Sequence, residues 1–387
     1  MKDKAGSDKT GSLIKRWGFP VLGIILFIVF TIYINSGEKV PLVSRVGQTF
    51  EKAVVTEVLQ DNLQADGTRL GEQIVKLKLL TGEKKEEELT TTSSSGYLFG
   101  AGCKKGMRVV VMQSVAGDSV IATVYAQSRE YVIYIFAALY IAVLCLVGGR
   151  QGVKGALGLI FTFASILMVY LPMIYRGFSP FWSAVFICIL TTFVTMYLIG
   201  GPTRKTLVAV LGTTAGVIIA GISATAFSYA SGITGWNVSE IESLLTLWQT
   251  SEIHVGGLLF SGLLISSLGA VMDVAMSVSS SISEIYKQNP AMSKKELFKA
   301  GMHVGRDMMG TDSNTLILAF AGGSISMLLL DYAYNLPYQQ IINSNNIGIA
   351  IMQGLSGSFG IVLSVPVTVA LAVLLYTPKS LPSPHAS

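Results

Sequence analysis

Charged residues are scarce in this chain. Only 13% of its 387 residues are Asp, Glu, Lys or Arg, and 51% are hydrophobic, whereas an ordinary soluble domain carries about 25% charged residues. The composition therefore excludes a typical soluble protein and predicts an integral membrane protein. The net charge of +5 is small and spread along the chain. Without a basic patch interleaved with aromatic residues, it gives no indication of nucleic-acid binding.

Cysteine and histidine are also rare, with three residues of each. Cys103, Cys145 and Cys188 share no short spacing, so neither a disulfide framework nor a zinc knuckle is expected. Three histidines are too few for a multi-histidine metal site. His303 and Asp307 stand at positions i and i+4, but without more nitrogen ligands they do not predict a metal site. We therefore expect no metal and no cofactor.

The short motifs of the common enzyme classes are missing. The sequence contains no HExxH and no GxSxG pattern, and it has no phosphate-binding loop of the GxxxxGK[ST] type. We therefore expect no enzymatic activity. Any active transport would draw on an ion gradient or on a separate partner.

Long apolar runs fill much of the chain, and about 18 apolar residues suffice to cross a bilayer as a helix. The first run is interpreted as an uncleaved anchor, because it is long and no small-residue cleavage pattern follows it. The sequence therefore predicts an α-helical polytopic membrane protein with about eight transmembrane helices. The runs are approximately residues 17–35, 131–148, 155–175, 180–199, 207–230, 255–276, 316–336 and 347–376.

Lys and Arg predict the orientation, since they accumulate in cytoplasmic loops. With the N-terminus inside, the predicted inner loops are rich in basic residues, and the outer loops carry Arg176 and almost no other. We therefore expect both termini in the cytoplasm. Residues 1–35 would be the N-terminus and anchor, residues 131–376 a seven-helix membrane domain, and residues 377–387 a disordered cytoplasmic tail.

Residues 36–130, between the first two spans, form a water-soluble segment. Stretches such as AVVTEVLQ and QIVKLKLL alternate or are rich in Val and Ile, and Gly and Asp punctuate them. This pattern predicts a small all-β extracytoplasmic domain, either a barrel or a sandwich. It contains no catalytic constellation, so the expected role is to dock a partner or to cover a mouth of the membrane domain.

Two polar stretches are joined to apolar spans, where ionisable groups persist only if something pairs or uses them. In the first, residues 268–284, the polar residues fall on one face of a helix and the opposite face stays apolar. An amphipathic segment of this kind predicts a polar groove or an interfacial elbow. The alternative is that the stripe only marks where the helix leaves the membrane. The stripe consists of Ser266, Asp273, Ser277, Ser280 and Glu284.

The second polar stretch, residues 305–315, follows a short basic segment. Ser293 and Glu296 predict a capping box, and the lysines that follow predict a surface helix over residues 293–302 that binds anionic lipid. In a continuous helix His303, Asp307, Thr311 and Asn314 would form another polar stripe. Because Gly305 and Gly310 bracket the charged pair, the segment could instead be broken or re-entrant.

The two stripes predict one polar interior near the cytoplasmic side. Asp273 and Asp307 would be its proton- or cation-linked carboxylates, with Arg306 as their counter-charge and Asn314 and Ser277 as uncharged ligands. The alternative is a structural clamp of Arg306 with both carboxylates. The last run is too long for a straight span, so it is predicted to be interrupted around Gly357 or kinked at Pro366.

Three long motifs resemble the YibE/F family of bacterial multi-span membrane proteins. They are LGAVMDVAMSVSSSISE at residues 268–284, GMHVGRDMMGTDSNTLILAFAGGS at residues 301–324 and LSGSFGIVLSVPVT at residues 355–368. The resemblance covers the membrane domain and the outer β-domain. It implies a bacterial plasma-membrane protein that forms a homo- or hetero-oligomer with a paralogous membrane protein, and it implies no particular activity.

By this resemblance, Asp273, Gly305, Arg306, Asp307, Asn314 and Pro366 match motif positions. The chain departs from its relatives at Asp312, where they usually carry an uncharged residue. It also departs at Ala350 and Gln353, where they often carry Glu and Arg.

The preferred hypothesis is an ion-coupled transporter or permease-like component. The alternative is a non-transporting scaffold or sensor that works in a hetero-oligomer through its outer β-domain. The sequence names no solute or ion for either hypothesis.

Overall fold

The structure is a computed structural model, and it describes residues 23, 25–37, 45–94, 99–116, 119–238, 241–250 and 253–377. These residues fall into two compact units, Pro41–Val143 and a second unit made of Met1–Val40 with Leu144–Ser387. Before Ile25, Gly23 is the one described residue of the predicted N-terminus and anchor. The predicted tail beyond Thr377 also lies outside the described residues.

The first unit contains five strands that close into a barrel in the order β1-β2-β3-β5-β4. Neighbouring strands are antiparallel except β3 and β5, which are parallel. A closed five-stranded barrel with this crossover is the arrangement of an OB fold. The prediction of a small β-barrel is therefore confirmed. The strands are β1 (Gln48–Gln60), β2 (Gln73–Leu79), β3 (Glu88–Ser93), β4 (Arg108–Ala116) and β5 (Ser119–Gln127).

Strict alternation in the sequence builds the barrel core. In β2, Val75, Leu77 and Leu79 point inward and are at most 1% exposed, while Lys76 and Lys78 point outward. This two-residue period is what a strand with one face on a core and the other in water requires. The apolar residues of β2 therefore fix which face of the sheet is inside.

The second unit is built from helices. By length and composition, five helical segments among the described residues can cross a membrane, or six if the bent pair α8 and α9 is one span. A π-helical turn, Ile166–Tyr170, joins α2 to α3, and a 3-10 turn, Val255–Gly257, precedes α7. The helices are α1 (Ile25–Asn35), α2 (Glu130–Ser165), α3 (Leu171–Tyr175), α4 (Pro180–Gly200), α5 (Arg204–Ser231), α6 (Ile241–Thr250), α7 (Leu258–Gln288), α8 (Lys294–Gly323), α9 (Ile325–Ala333), α10 (Tyr338–Ile342) and α11 (Asn345–Tyr376).

The long segment Glu130–Tyr175 contains a sharp break at Gly149, whose φ of 52° and ψ of −131° are not helical. Beyond the break the chain turns back on itself, because a Cβ at Gly152 would lie 2.0 Å from the carbonyl oxygen of Leu144. An unbroken helix of 46 residues would be about 69 Å long, against a hydrocarbon core of about 30 Å. The break falls between the predicted runs 131–148 and 155–175.

The central helices α5, α7 and α11 pack against one another. All three meet at Gly216, where a Cβ would lie 2.4 Å from Cγ1 of Val271 on α7 and 2.8 Å from Cβ of Ser364 on α11. Gly360 of α11 faces it across an equally short gap, since a Cβ there would lie 2.7 Å from the Gly216 carbonyl oxygen. Small residues at such positions let helix backbones come close together in membranes.

The structure selects the continuous helix among the alternatives left open for two segments. The predicted surface helix of residues 293–302 is the beginning of α8, which runs without interruption from Lys294 to Gly323 after the predicted capping box. Its Gly305 serves close packing, because a Cβ there would lie 2.3 Å from Cγ1 of Val365. The bend of 58° comes later, between α8 and α9. The helix α11 is also continuous through Gly357, with Pro366 inside it.

Candidate functional site

Asp273 lies at the midpoint of α7. This helix has 31 residues and ends at Gln288. The predicted span ended earlier, at Met276. The side chain of Asp273 is exposed in the single chain. The helix is longer than the predicted apolar run of residues 255–276, so Asp273 lies near one end of that run and at the middle of the helix.

The contacts of Val271 place this midpoint among the packed helices. Val271 meets Gly216, and Gly216 meets Gly360. Gly216 is near the middle of the 28-residue α5 and Gly360 is near the middle of the 32-residue α11. Asp273 is therefore level with the centres of all three helices, about 22 Å along α7 from either end.

Asp312 of α8 is the acidic residue whose charge acts on Asp273. The two residues lie at one level of neighbouring helices, because Ser267 of α7 and Leu316 of α8 both border Gly357 of α11. Asp312 is half-buried and stands seven residues after Gly305, which packs on α11. Seven residues are about two helical turns, so Asp312 belongs to the packed side of α8. Asp312 was not among the site residues predicted from the sequence.

The predicted stripe on α8 lies on the other side of that helix. His303, Arg306, Asp307 and Asn314 are all exposed. The nearest contact within the stripe joins His303 Nδ1 to Asp307 Oδ2 at 3.8 Å, with both side chains about four-fifths exposed. Within the described part of the chain, Arg306 forms no ion pair with Asp273 or Asp307. The structure therefore brings Asp273 together with Asp312 and leaves Arg306 apart from both.

Serines on α7 divide between two roles. Ser277, a predicted ligand, is half-buried and follows Asp273 by one turn on the same face. Ser279 is fully buried, and its hydroxyl donates to the carbonyl oxygen of Lys205 at 2.9 Å and lies 3.3 Å from the Tyr376 hydroxyl. Ser279 thus ties α7 to the start of α5 and to the end of α11. The polar stripe predicted from the sequence includes Ser277 and omits Ser279.

A cavity of about 240 Å³ lies beside this face of α7, between α7, α4 and the second half of α2. Its polar lining consists of Thr162, Thr191 and Ser266. One turn from these residues, the buried hydroxyls of Ser165 and Thr195 have no hydrogen-bond partner among the described residues. Buried hydroxyls of this kind are ordinarily satisfied by water. Gly269 also lines the cavity and is one turn before Asp273. The cavity therefore borders Asp273 and Asp312, which together are called the acidic centre below.

No group of three or more His, Cys, Asp or Glu residues in the described ranges is arranged to hold a metal ion. The acidic centre offers only two carboxylates. Its chemistry suits a proton or a single small cation better than a tightly held transition metal, which takes nitrogen and sulfur ligands.

The barrel presents two different outer surfaces. On β2 and β3 the outward lysines are neutralised, since Lys76 pairs with Glu88 at 2.8 Å and Lys78 pairs with Glu86. Phe50 of β1, together with Ile121 and Tyr125 of β5, is exposed by 39%, 63% and 49%. The rings of Phe50 and Tyr125 meet edge to face at 5.3 Å. Because their charges are paired, the lysines of β2 do not make the first surface attractive to a polyanion. The second surface, on β1 and β5, offers apolar side chains for contact.

Comparison with known proteins agrees with these helical features. A sequence model for YibE/F-like proteins matches residues 136–378. The chain belongs to the YibE/F-like family. The match contains the acidic centre and both polar stretches, and the strands of the barrel lie before it. No curated protein and no solved structure matches the chain. The family and the apolar helices together identify a membrane protein of unknown activity.

Proposed function

We propose that this YibE/F-like protein moves protons or another small cation across the bacterial plasma membrane, as an ion-coupled transporter or permease-like component. Asp273 is its principal ion-binding carboxylate and Asp312 its second ligand. The observation that carries this proposal is the position of two acidic residues at one level of neighbouring helices, with Asp273 at the midpoint of a long apolar helix. We propose no enzymatic reaction.

The energetics of a bilayer explain why such a pair points to ions. One ionised side chain at the centre of a membrane helix costs about 2.5–3.5 kcal/mol on insertion scales. Two carboxylates that repel each other add to this cost. A proton or cation bound between them removes both the repulsion and part of the desolvation cost. The pair is therefore expected to bind an ion in the membrane and to release it where water reaches the site.

We propose that the cavity between α2, α4 and α7 provides such access. Its hydroxyls can hold water, and its edge at Gly269 is one turn from Asp273. A water takes about 30 Å³ of liquid volume, so a space of about 240 Å³ holds several. We propose that this water connects the acidic centre to one side of the membrane.

The proposed membrane arrangement has eight crossings. The segment Glu130–Tyr175 would cross twice because of the break at Gly149, the bent pair α8 and α9 once, and the N-terminal anchor once. Lys and Arg in the loops favour cytoplasmic termini and an extracytoplasmic barrel. The exposed residues Lys294, Lys295 and Lys299 in the first turns of α8 would then meet anionic lipid.

Flux measurement in proteoliposomes tests the proposal. The purified full chain is reconstituted with a pH-sensitive dye inside the vesicles, and a potassium diffusion potential drives ion entry. We expect proton uptake, and we expect Asp273→Asn to reduce it at least about tenfold. Asp312→Asn should change the dependence of the rate on pH. Asp331→Asn is the matched control, since Asp331 lies on α9, away from the centre.

Two results would overturn the proposal. One is a wild-type protein that moves neither protons nor sodium nor potassium in vesicles where it is correctly inserted. The other is an Asp273→Asn variant whose flux equals that of Asp331→Asn.

A second candidate function, a scaffold or sensor in a hetero-oligomer, is favoured by the apolar surface of the barrel. Phe50 and Tyr125 form an exposed aromatic pair, and Ile121 is exposed on the same strand as Tyr125. Exposed apolar patches mark binding sites. A photo-crosslinking residue at position 121 should then capture another membrane protein in cells. The same residue at Thr90, which is exposed on β3, is the control. Equal capture at both positions would remove this candidate.

A further inference from the structure

One face of α8 is polar and exposed along its central turns. His303, Asp307, Gly310 and Asn314 lie on it at successive spacings of four, three and four residues, and all four are exposed. This spacing is that of the contact seam between two helices that pack side by side. The opposite face of α8 is occupied, because Gly301 packs on Ile282 of α7 and on Val369 of α11.

The depth of this face makes exposure to lipid costly. Gly305, next to Arg306, packs on Val365, which is eleven residues before the end of α11 at Tyr376. That separation is about 16 Å along the helix. The 32-residue α11 is about 48 Å long and exceeds a core of about 30 Å by about 9 Å at each end. Arg306 and Asp307 would thus lie inside the hydrocarbon region, where charged groups face protein or water.

The face is complementary to itself. Arg306 and Asp307 carry opposite charges at one level of the helix. In a parallel pair of helices, the residue just before a seam position lines the hole that receives the partner's seam residue. Asp307 of one helix would therefore sit beside Arg306 of the other and would also face its own copy, so that the two arginines together neutralise the two carboxylates. No ion pair within the described residues uses Arg306, so it is available for this contact.

The uncharged residues of the seam fit the same partner. Asn314 would meet its own copy across the symmetry axis, and two amides hydrogen-bond each other in that position. A Cβ at Gly310 has no described atom within 4 Å, so this turn offers an open, flat surface to an approaching backbone.

We propose that a second copy of this chain docks on the exposed face of α8, parallel to the first and related to it by a two-fold axis along the membrane normal. Reciprocal Arg306–Asp307 contacts and the Asn314 pair hold the two helices in register. The interface does not depend on the proposed ion movement, since Asp273 and Asp312 lie on the opposite side of α8 or on α7.

Cysteine crosslinking in membranes tests the interface directly. In the full chain with Cys103, Cys145 and Cys188 replaced by Ser, Asn314→Cys should form a disulfide-linked dimer on mild oxidation. The matched control is Phe359→Cys, since Phe359 is 55% exposed and its neighbour Ser358 contacts Ser313 on α8, which places it at the same level. Crosslinking at position 359 equal to that at position 314 would overturn the proposal.

Charge reversal separates a specific contact from a folding defect. Arg306→Asp alone or Asp307→Arg alone should lower the dimer fraction, with an association constant reduced by about tenfold. The double variant restores opposite charges across the interface and should recover dimer formation. A double variant as defective as either single one would contradict the reciprocal pairing. A wild-type chain that is monomeric by single-particle mass measurement in nanodiscs would refute the proposal.

Discussion

Asp273 on α7 and Asp312 on α8 lie at one level of two neighbouring helices, and the charge of Asp312 acts on that of Asp273. Both lie in the helical unit, and neither has an ion-pair partner among the described residues. Repulsion of this kind destabilises a fold unless an ion or a proton relieves it. Its persistence in the middle of apolar helices is what makes the pair a functional candidate.

Replacing either carboxylate should stabilise the protein. Asp312→Asn and Asp273→Asn each remove the repulsion, so each should raise the midpoint of thermal unfolding in detergent. The double variant should gain less than the sum of the two, with a coupling of about 0.5–1 kcal/mol. Strict additivity would show that the two carboxylates do not interact.

The contact at Gly216 predicts a strong steric effect. Gly216→Ala places a Cβ within 2.4 Å of Val271 and 2.8 Å of Ser364, and overpacking of this kind costs about 1–3 kcal/mol. Gly262→Ala on α7 is the control, since its Cβ would have no described atom within 4 Å and alanine favours the helix by about 1 kcal/mol. Unfolding in a denaturant series should therefore shift in opposite directions for the two variants. A shift in the same direction would show that α5 and α7 are not packed this closely.

Cys103 should be chemically inert in the folded protein. Burial raises the pKa of its thiol, and the side chain is 2% exposed, so little reactive thiolate is present at neutral pH. In a variant without Cys145 and Cys188, a disulfide reagent should label Cys103 slowly, and the rate should rise on unfolding. Ala65→Cys in the exposed loop after β1 is the matched comparison. Labelling of both thiols at one rate would mean that the barrel core is open.

The loop between β1 and β2 should loosen in acid. The Arg69 guanidinium, 2.6 Å from Asp61, holds the pKa of that carboxyl below its usual value, and the Gln73 amide at 2.7 Å adds to the effect. A lowered folded pKa contributes stability above the unfolded value of about 3.9, and this stability is lost as the pH falls through the folded value. The protection of residues 61–72 in the full chain against hydrogen exchange, relative to the intrinsic exchange rate at each pH, should therefore fall below about pH 4.

Asp61→Asn is the control for this acid effect. The variant keeps the turn at Asp66, whose carboxylate accepts hydrogen bonds from Thr68, but it lacks the titrating contact to Arg69. Its loop should exchange faster at neutral pH and should change less on acidification. An unchanged acid response would assign the effect to another group.

Local patterns predicted much of the fold because they report local physics. The alternation in β2 placed Val75 and Leu77 inside the barrel, and Ser293 with Glu296 marked the start of α8 correctly. Each of these depends on neighbours within a few residues.

The position of the acidic centre could not be obtained in the same way. Which side of α8 faces the bundle is decided by partners far away in sequence, such as Val365 against Gly305. The predicted site lay on the face of α8 that carries Asp307, whereas the face that packs against the other helices carries Asp312. The sequence contained a usable signal for this face. Gly301 and Gly305 mark a side of α8 that has no large side chains, and Asp312 lies on the same side.

The bend between α8 and α9 bears on how this protein fits its bilayer. The helices turn by 58° next to Gly322 and Gly323, and no described atom lies within 4 Å of a Cβ at either glycine. Tertiary packing therefore does not set the angle there. A span that bends at such a point can shorten or lengthen its reach, which lets one sequence match lipid layers of different thickness at small energetic cost. Lipid chain length should thus alter the angle of this span before it disturbs α5, α7 and α11.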